Sequence, residues 1–312
     1  MTEAPVCVSL AHMTAPAPLH GGFSEAEMNE ILARACSAVG LDSAGAEVLR
    51  GHTNAVVRLL HAPVVVKIAR KGTPLSVTDR MATFVRWLME RDFPTVPLLP
   101  GIGQPLIVNQ QAVTFWTYLP QNFGPVAAAD LATPLKMLHR LPTPPAEMRH
   151  LDNLAAIRKS LSVTRTLPDS DVEFLNFRAD SLEHGLKSVS YALREAAVQG
   201  DPQHRNALKD RDRTVLCDWD TIAFGQPEWD LVTVEIHCRR FGYEPDHYKA
   251  FADIYGFDVT KWSGYATLRD IRELRMITTN ARRAHKPETV AEVRQRIAGL
   301  RKMDTGAKWN IL

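Results

Sequence analysis

The sequence predicts an α+β protein of two lobes, a β-rich N-terminal lobe with one main helix and a mainly helical C-terminal lobe. Three observations carry this expectation. β-rich runs recur over residues 46–119 on either side of one helical segment, a proline-bounded stretch follows at Pro120–Pro125, and helical periodicity dominates most of what comes after. The chain of 312 residues has length for roughly two domains. The expected division is a loosely ordered leader over 1–22, an N-lobe over 23–120 and a C-lobe over 121–312.

Each element has a local reason. Ser24 and Glu27 form an S-x-x-E capping box, so a helix is expected to run to about Val39, where Gly40 ends it. "AEVLRG", "NAVVRLL" and "PVVVKIA" read as three strands of an antiparallel meander, separated by Gly51–Asn54 and His61–Pro63. Thr78 is a candidate N-cap for a helix to Asp92, with Met81, Phe84, Val85 and Leu88 on its apolar face and Pro94 beyond it. "PLIVN" and "AVTFWTYL" supply two more strands, giving a sheet of five. In the C-lobe the clearest helical patterns are "ADLATPLKMLHRL" and "SDVEFLNFRADSLEHGLKSVSYAL".

Composition excludes several classes. Hydrophobic residues make up 45% and charged residues 23%, and the net charge is +2, which makes no electrostatic case for nucleic acid or an anionic membrane. Cys7, Cys36, Cys217 and Cys238 show no CxxC pairing, the pattern expected of reduced thiols in a cytoplasmic protein. No signal peptide is expected, and no apolar run approaches the roughly 20 residues of a membrane helix.

The stretch "VQGDPQHRNALKDRDRTVLCDWD", Val198–Asp220, carries the chemistry. Asn206–Leu208 and Thr214–Cys217 read as short strands, and the charged Asp210–Arg213 between them suits a hairpin turn. Folding about that turn places residues whose numbers sum to about 423 opposite one another, so Asn206 falls across from Cys217 or Asp218. Asp201 sits on the loop that enters the first strand. A carboxylate, an amide oxygen and a second carboxylate therefore gather at one end of a hairpin. Such a set suits a hard cation such as Mg2+, with a third oxygen group left to orient a hydroxyl and accept its proton. It equally suits a surface hairpin with ordinary turn carboxylates.

The order of elements and these motifs resemble the aminoglycoside phosphotransferase family of small-molecule kinases, which has a protein-kinase-like fold. "QGDPQHRN" stands where that family has H-G-D-x-x-x-x-N, and Asp218-Trp219 where it has its metal-binding D-W or D-F pair. "FGQPEWDL", "MLHRLP" and "RWLMERDFPTVPLL" match further segments in the right order, so the resemblance spans about 45–300. It implies that Asp201 is the catalytic Asp, that Asn206 and Asp218 hold Mg2+, and that Lys67 contacts the phosphates of ATP or GTP. It also implies that Gly51, Thr53 and Asn54 cover the phosphates, and that Trp116, Thr117, Tyr118 and Leu119 form the hinge that holds the base. Asp230 is implied to brace the catalytic loop. His139 is expected to be a structural histidine on an apolar helix face, and His204 a possible substrate contact.

Two positions depart from the pattern. Gln199 replaces the loop His, and Met81 falls where a helix Glu would pair with Lys67; Asp79 lies about 200° around the helix from it. Conserving the other positions predicts an ATP- and Mg2+-dependent phosphotransferase acting on a hydroxyl of a small molecule. A catalytically weak nucleotide-binding regulatory module is the alternative. No H-R-D or A-P-E text supports a protein kinase. The C-terminal helices carry Arg239, Arg240, Arg269, Arg272, Arg275, Arg282 and Arg283, against Glu235, Asp270 and Glu273. Most of these arginines are expected on solvated helix faces. They do not suit a polycation, so a neutral or anionic hydroxyl compound is expected at least as readily as an aminoglycoside.

Overall fold

The computed structural model describes residues 20–51, 53–144 and 147–312. The expected leader lies outside the described residues as far as 19, and so does Cys7; His20–Gly22 forms a single 3-10 turn. The chain divides into two compact units, one of residues through Ala82 with Pro97–Tyr118, the other of Thr83–Val96 with Leu119–Leu312.

The first unit begins with α1, Glu25–Ala38. Its capping box is formed: the Ser24 hydroxyl accepts from Glu27 N at 3.2 Å, and the Glu27 carboxylate accepts from Ser24 N at 2.8 Å. Met28, Ile31, Leu32, Ala35 and Cys36 line one buried face at helical spacing. They pack on a five-stranded antiparallel sheet of β1 (Glu47–Arg50), β2 (Ala55–Arg58), β3 (Val64–Ile68), β4 (Leu106–Val108) and β5 (Gln111–Thr117). The strand order is β1-β2-β3-β5-β4. Period-two alternation sends Ala55, Val57, Val64, Val66, Ile68, Val113 and Phe115 into this core. Each of the Val, Ile and Phe side chains contributes about 1.5–3 kcal/mol of transfer free energy. Burial pushes the Cys36 thiol up to about 11, which leaves it protonated and unreactive.

Between β3 and β4 runs α2, Leu75–Met89, whose halves belong to different units. It starts a turn before the expected N-cap. Val77 N donates to Pro74 O at 2.9 Å, and Thr78 is a buried residue inside the helix.

The second unit holds α3 (Ala128–Leu138), α4 (Asn153–Val163), α5 (Asp169–Leu186), β6 (Ala196–Val198), β7 (Ala207–Asp210), β8 (Arg213–Leu216), β9 (Ala223–Gly225), α6 (Glu228–Arg240), α7 (Pro245–Tyr255), α8 (Tyr265–Ala281) and α9 (Pro287–Arg301). Its core joins Leu154, Ile157 and Leu161 of α4, Leu175 and Leu182 of α5, Ile271, Leu274 and Ile277 of α8, and Val293 and Ile297 of α9. The helical pattern read through Leu193 stops at Leu186. Ser188 N and Val189 N turn back to carbonyls three residues earlier, and Ala192 N and Leu193 N donate to the buried Glu228 carboxylate at 2.7 and 2.8 Å. A tertiary acceptor outcompetes the helix there. No helix among the described residues is long and apolar enough to cross a membrane.

The arginines of the C-terminal helices depart most from expectation. Arg240 is buried, donating to Glu273 at 2.7 and 2.8 Å and lying over Trp309, and Arg239 bridges Glu235 and Glu273. Arg272 is buried as well. The Arg239 and Arg240 guanidinium groups are structural, because buried carboxylates on α6 and α8 require them.

Candidate active site

The hairpin of β7 and β8 has the register expected from its charged turn. The pairs Ala207↔Leu216, Leu208↔Val215, Lys209↔Thr214 and Asp210↔Arg213 all sum to 423. The turn is tighter than expected: Asp210 and Arg213 are themselves paired, leaving Arg211-Asp212 as the connection, with Arg211 at φ 53°. At the open end Cys217 N donates to Asn206 O at 2.9 Å, which sets Asn206 beside the residue preceding Asp218.

Asp218 is held by what surrounds it in the chain. It adopts a left-handed conformation, φ 57° and ψ 64°, which Asp tolerates better than most residues. The next residue, Trp219, is fully buried. Its ring meets Phe84 and Phe93 edge-on, and its Nε1 donates to Thr95 Oγ1 at 2.9 Å. The segment after α2 is pinned to β8 by Leu216 N to Pro94 O, 2.9 Å, and Val96 N to Leu216 O, 3.0 Å.

The loop that carries Asp201 is braced on three sides. Gln199 is fully buried, and its Nε2 donates to Cys217 O at 3.2 Å and Asp218 O at 3.0 Å. Its Oε1 accepts from Asp201 N at 2.7 Å. One amide side chain thus ties the Asp201 loop to the Asp218 strand end, so the departure from His preserves the support. Asp230 accepts from Gln199 N at 2.8 Å and Gly200 N at 2.9 Å. His139 Nε2 reaches the same carboxylate at 3.1 Å, and because a carboxylate only accepts, that nitrogen carries the proton. The Tyr255 hydroxyl, held well above its ordinary pKa by burial, faces His139 Nδ1 at 2.8 Å. His139 is therefore a satisfied structural residue. On the third side, Trp229 Nε1 donates to Gly200 O at 2.9 Å and Thr221 Oγ1 to Gln199 O at 2.8 Å.

Gly200 is the position where glycine is required. Its φ is +85°, and a Cβ there would lie 2.5 Å from Thr221 O.

Around Asp201, Asn206 Nδ2 donates to its backbone carbonyl at 2.9 Å and Gln203 Nε2 to Oδ2 at 2.9 Å. Burial raises the Asp201 carboxyl above its ordinary value, while the Arg272 guanidinium, hydrogen-bonded to Oδ1, pulls it down. Arg272 is the residue that sequence reasoning missed. It lies on α8 one turn before Arg275, at the margin of the apolar stripe formed by Leu268, Ile271 and Leu274. That i, i+3 arginine pair at the edge of a buried face was the available signal.

His204 stacks on Tyr243 with ring centroids 4.6 Å apart, and its buried Nε2 has no hydrogen-bond partner. Burial, then the neighbouring His247, lower its pKa to about 4, so the ring is neutral at pH 7.

The donor set fits Mg2+. With the Asn206 amide nitrogen committed to Asp201 O, its oxygen is left to face away from that bond, and Asp218 supplies a carboxylate. No group of three or more His, Cys, Asp or Glu side chains among the described residues could form a protein cage for a metal. A two-residue oxygen set is what Mg2+ uses when water and phosphates complete its shell.

The other sequence-derived residues lie in the first unit. Lys67 is on β3 between Val56 of β2 and Thr114 of β5, on the sheet face opposite Val66 and Ile68. Met81 is buried and Asp79 exposed. Gly51, Thr53 and Asn54 lie in the connection between β1 and β2, where Asn54 Oδ1 accepts from Arg70 N at 2.9 Å. Trp116 and Thr117 end β5; Thr117 N donates to Pro97 O and Tyr118 N to Pro63 O at 2.8 Å. Leu119 is the exception, belonging to the second unit.

Comparison with known proteins agrees with this architecture. The model of the phosphotransferase enzyme family (APH) matches residues 45–271. The chain belongs to that family, and is a small-molecule phosphotransferase with a hydroxyl group as acceptor. No curated protein matches it in sequence. Among solved structures it is similar to choline kinase LicA from Streptococcus pneumoniae, at 16% identity and TM-score 0.68, covering 88% of this chain and 99% of that one. It is also similar to a microcompartment-associated aminopropanol kinase, at 14% identity and TM-score 0.67, covering 86% and 94%. Spectinomycin phosphotransferase APH(9)-Ia, in complex with ADP and spectinomycin, aligns at 13% identity and TM-score 0.60, covering 91% and 95%. These likenesses establish a protein-kinase-like fold, with a five-stranded sheet in the first region and mainly helices in the second.

Proposed function

We propose that the protein transfers the terminal phosphoryl group of ATP, or of GTP, to a hydroxyl of a small molecule, with Asp201 as the catalytic residue. The observation that carries this reading is the braced constellation at the open end of the β7–β8 hairpin. There Asp201, Asn206 and Asp218 are fixed relative to one another by Gln199 and Asp230. Phosphoryl transfer needs in-line positioning and charge compensation more than covalent chemistry, and a rigid set of oxygen groups serves both.

In this reading Asp201 orients the acceptor hydroxyl and takes its proton, for which a carboxyl raised by burial is a better base than an exposed one. Asn206 and Asp218 hold Mg2+, which when bound neutralises phosphate charge. Lys67 adds positive charge to the phosphates, Gly51, Thr53 and Asn54 cover them, and Trp116, Thr117, Tyr118 and Leu119 hold the base. The ADP seen in the spectinomycin phosphotransferase structure supports a nucleotide donor. The choline, aminopropanol and spectinomycin kinases support a small acceptor without choosing one.

The test is ADP release from Mg-ATP across a panel of hydroxylated acceptors, with Asp201→Ala beside the wild type. Acceptor-dependent turnover that falls by about 10^3 or more in the variant is expected. Turnover that survives in Asp201→Ala removes Asp201 from the chemistry. Binding of Mg-ATP with no turnover on any acceptor favours a nucleotide-binding regulatory module.

A further inference from the structure

Arg272 gives the acceptor end of this site a charge that the reaction itself does not call for. Its guanidinium donates to Asp201 Oδ1, its Nε is buried without a hydrogen-bond partner, and its plane lies 5.6 Å from the centre of the Trp229 ring. The side chain is only 9% exposed. A buried N–H with no acceptor is destabilising, and a ligand oxygen that reached it would relieve that.

The cluster extends along α8. Arg275, one turn on, donates from its NH1 to Thr279 Oγ1 at a long 3.4 Å, its one hydrogen bond among the described residues. Burial first, then the charges of Arg272, Arg282 and Arg149, lower its pKa to about 10, and Asp201 is the carboxylate that opposes them. Three guanidinium groups thus lie within electrostatic reach of Arg275, and one of them, Arg272, is hydrogen-bonded to Asp201. The other acids of α8 are committed elsewhere: Asp270 accepts from Arg178 at 2.6 Å and from Arg269 at 2.8 Å, and Glu273 from Arg239 and Arg240. Positive charge at this spot repels an ammonium group and suits an anion.

We propose that the acceptor carries an anionic oxygen group, a carboxylate or a phosphate monoester, beside its reacting hydroxyl, and that Arg272 and Arg275 receive that group. The proposal rests on the kinase reading above and specifies its substrate class. Without substrate, Arg272 is held by Asp201 Oδ1. When the anionic group arrives, the guanidinium turns its planar donors onto it, satisfying the buried Nε, and releases Oδ1 to the hydroxyl. Arg272 is then a specificity residue as well as a latch on the catalytic carboxylate. No bond is made or broken in this step.

The experiment compares matched compounds on the full chain at constant ionic strength, by thermal unfolding and calorimetric titration. D-glycerate is set against glycerol, glucose 6-phosphate against glucose, and choline and ethanolamine serve as cations. At least one anionic member is expected to bind about tenfold or more tightly than its neutral match, with the cations not binding. That preference is expected to disappear in Arg275→Gln and in Arg272→Gln; Arg275→Gln, at a less buried position, keeps the test decisive if Arg272→Gln does not fold. Equal binding of charged and neutral partners, binding of the cations, or a preference that persists in Arg275→Gln overturns the proposal. Mg-ATP binding is measured in the same samples. Its loss with the anion preference intact sinks the kinase reading instead, so the two failures are distinguishable. The carboxylate and phosphate arms separate the two anion classes.

Discussion

The loop at 199–206 and the connection at 51–54 have neighbouring assignments in the proposed reaction and opposite construction. The first is built into the interior: Gln199, Gly200, Pro202 and Asn206 are buried, and its backbone is held by Asp230, Trp229 and Thr221. The second follows β1, an edge strand whose residues are all exposed and whose pairing with β2 breaks register between Val48 and Arg50. In it Arg70 N donates to Asn54 Oδ1, and the residues Gly51, Thr53 and Asn54 are half-buried. A catalytic carboxylate must be held to within about half an ångström of its working position. A cover over phosphates must let the nucleotide in and out. The difference in burial fits chemistry in the first and access in the second.

The contrast is broken most severely at Asp230. Asp230→Ala removes the acceptor shared by Gln199 N, Gly200 N and His139 Nε2, all buried. A loss of about 3 kcal/mol or more in urea-unfolding stability is expected, together with a collapse of kcat, because each orphaned donor costs about 1–3 kcal/mol. Asp230→Asn, which keeps an acceptor oxygen, recovers part of both. A loss below about 1 kcal/mol in the alanine variant would mean that the loop is not held from this side. Gly200→Ala is milder in stability but sharper in function. The left-handed backbone costs about 1–2 kcal/mol, and the clash with Thr221 O displaces the residue that precedes Asp201. A fall in kcat of about a hundredfold with little change in the nucleotide KM is expected from steady-state kinetics.

Legibility followed the range of the interactions. The capping box of α1, the alternation of β2 and β3 and the hairpin register were readable because each is set by residues close in sequence. The end of α5 was not readable, since Glu228 supplies the competing acceptor from a distant element. Arg272 illustrates the same limit in the candidate site. Its partner Asp201 is 71 residues away, and the i, i+3 arginine spacing on α8 marks the edge of a buried face without saying which carboxylate lies across it. Gln199 was readable as a departure, but its compensation was visible only once its amide was seen spanning both loops.

The smallest effect is expected at Asn54, and it sharpens the comparison most. Asn54→Ala removes the side-chain oxygen that accepts from Arg70 N at an exposed turn, where water can replace it. Stability should fall by no more than about 1 kcal/mol. If the connection acts only as a cover, the nucleotide KM should rise a few-fold while kcat and the acceptor KM stay put, since the groups that position the hydroxyl are all in the second unit. A drop in kcat as large as that of Gly200→Ala would mean that the turn positions the transferring phosphate instead of admitting it. The division between a buried catalytic loop and a half-buried cover would then be wrong in its second half.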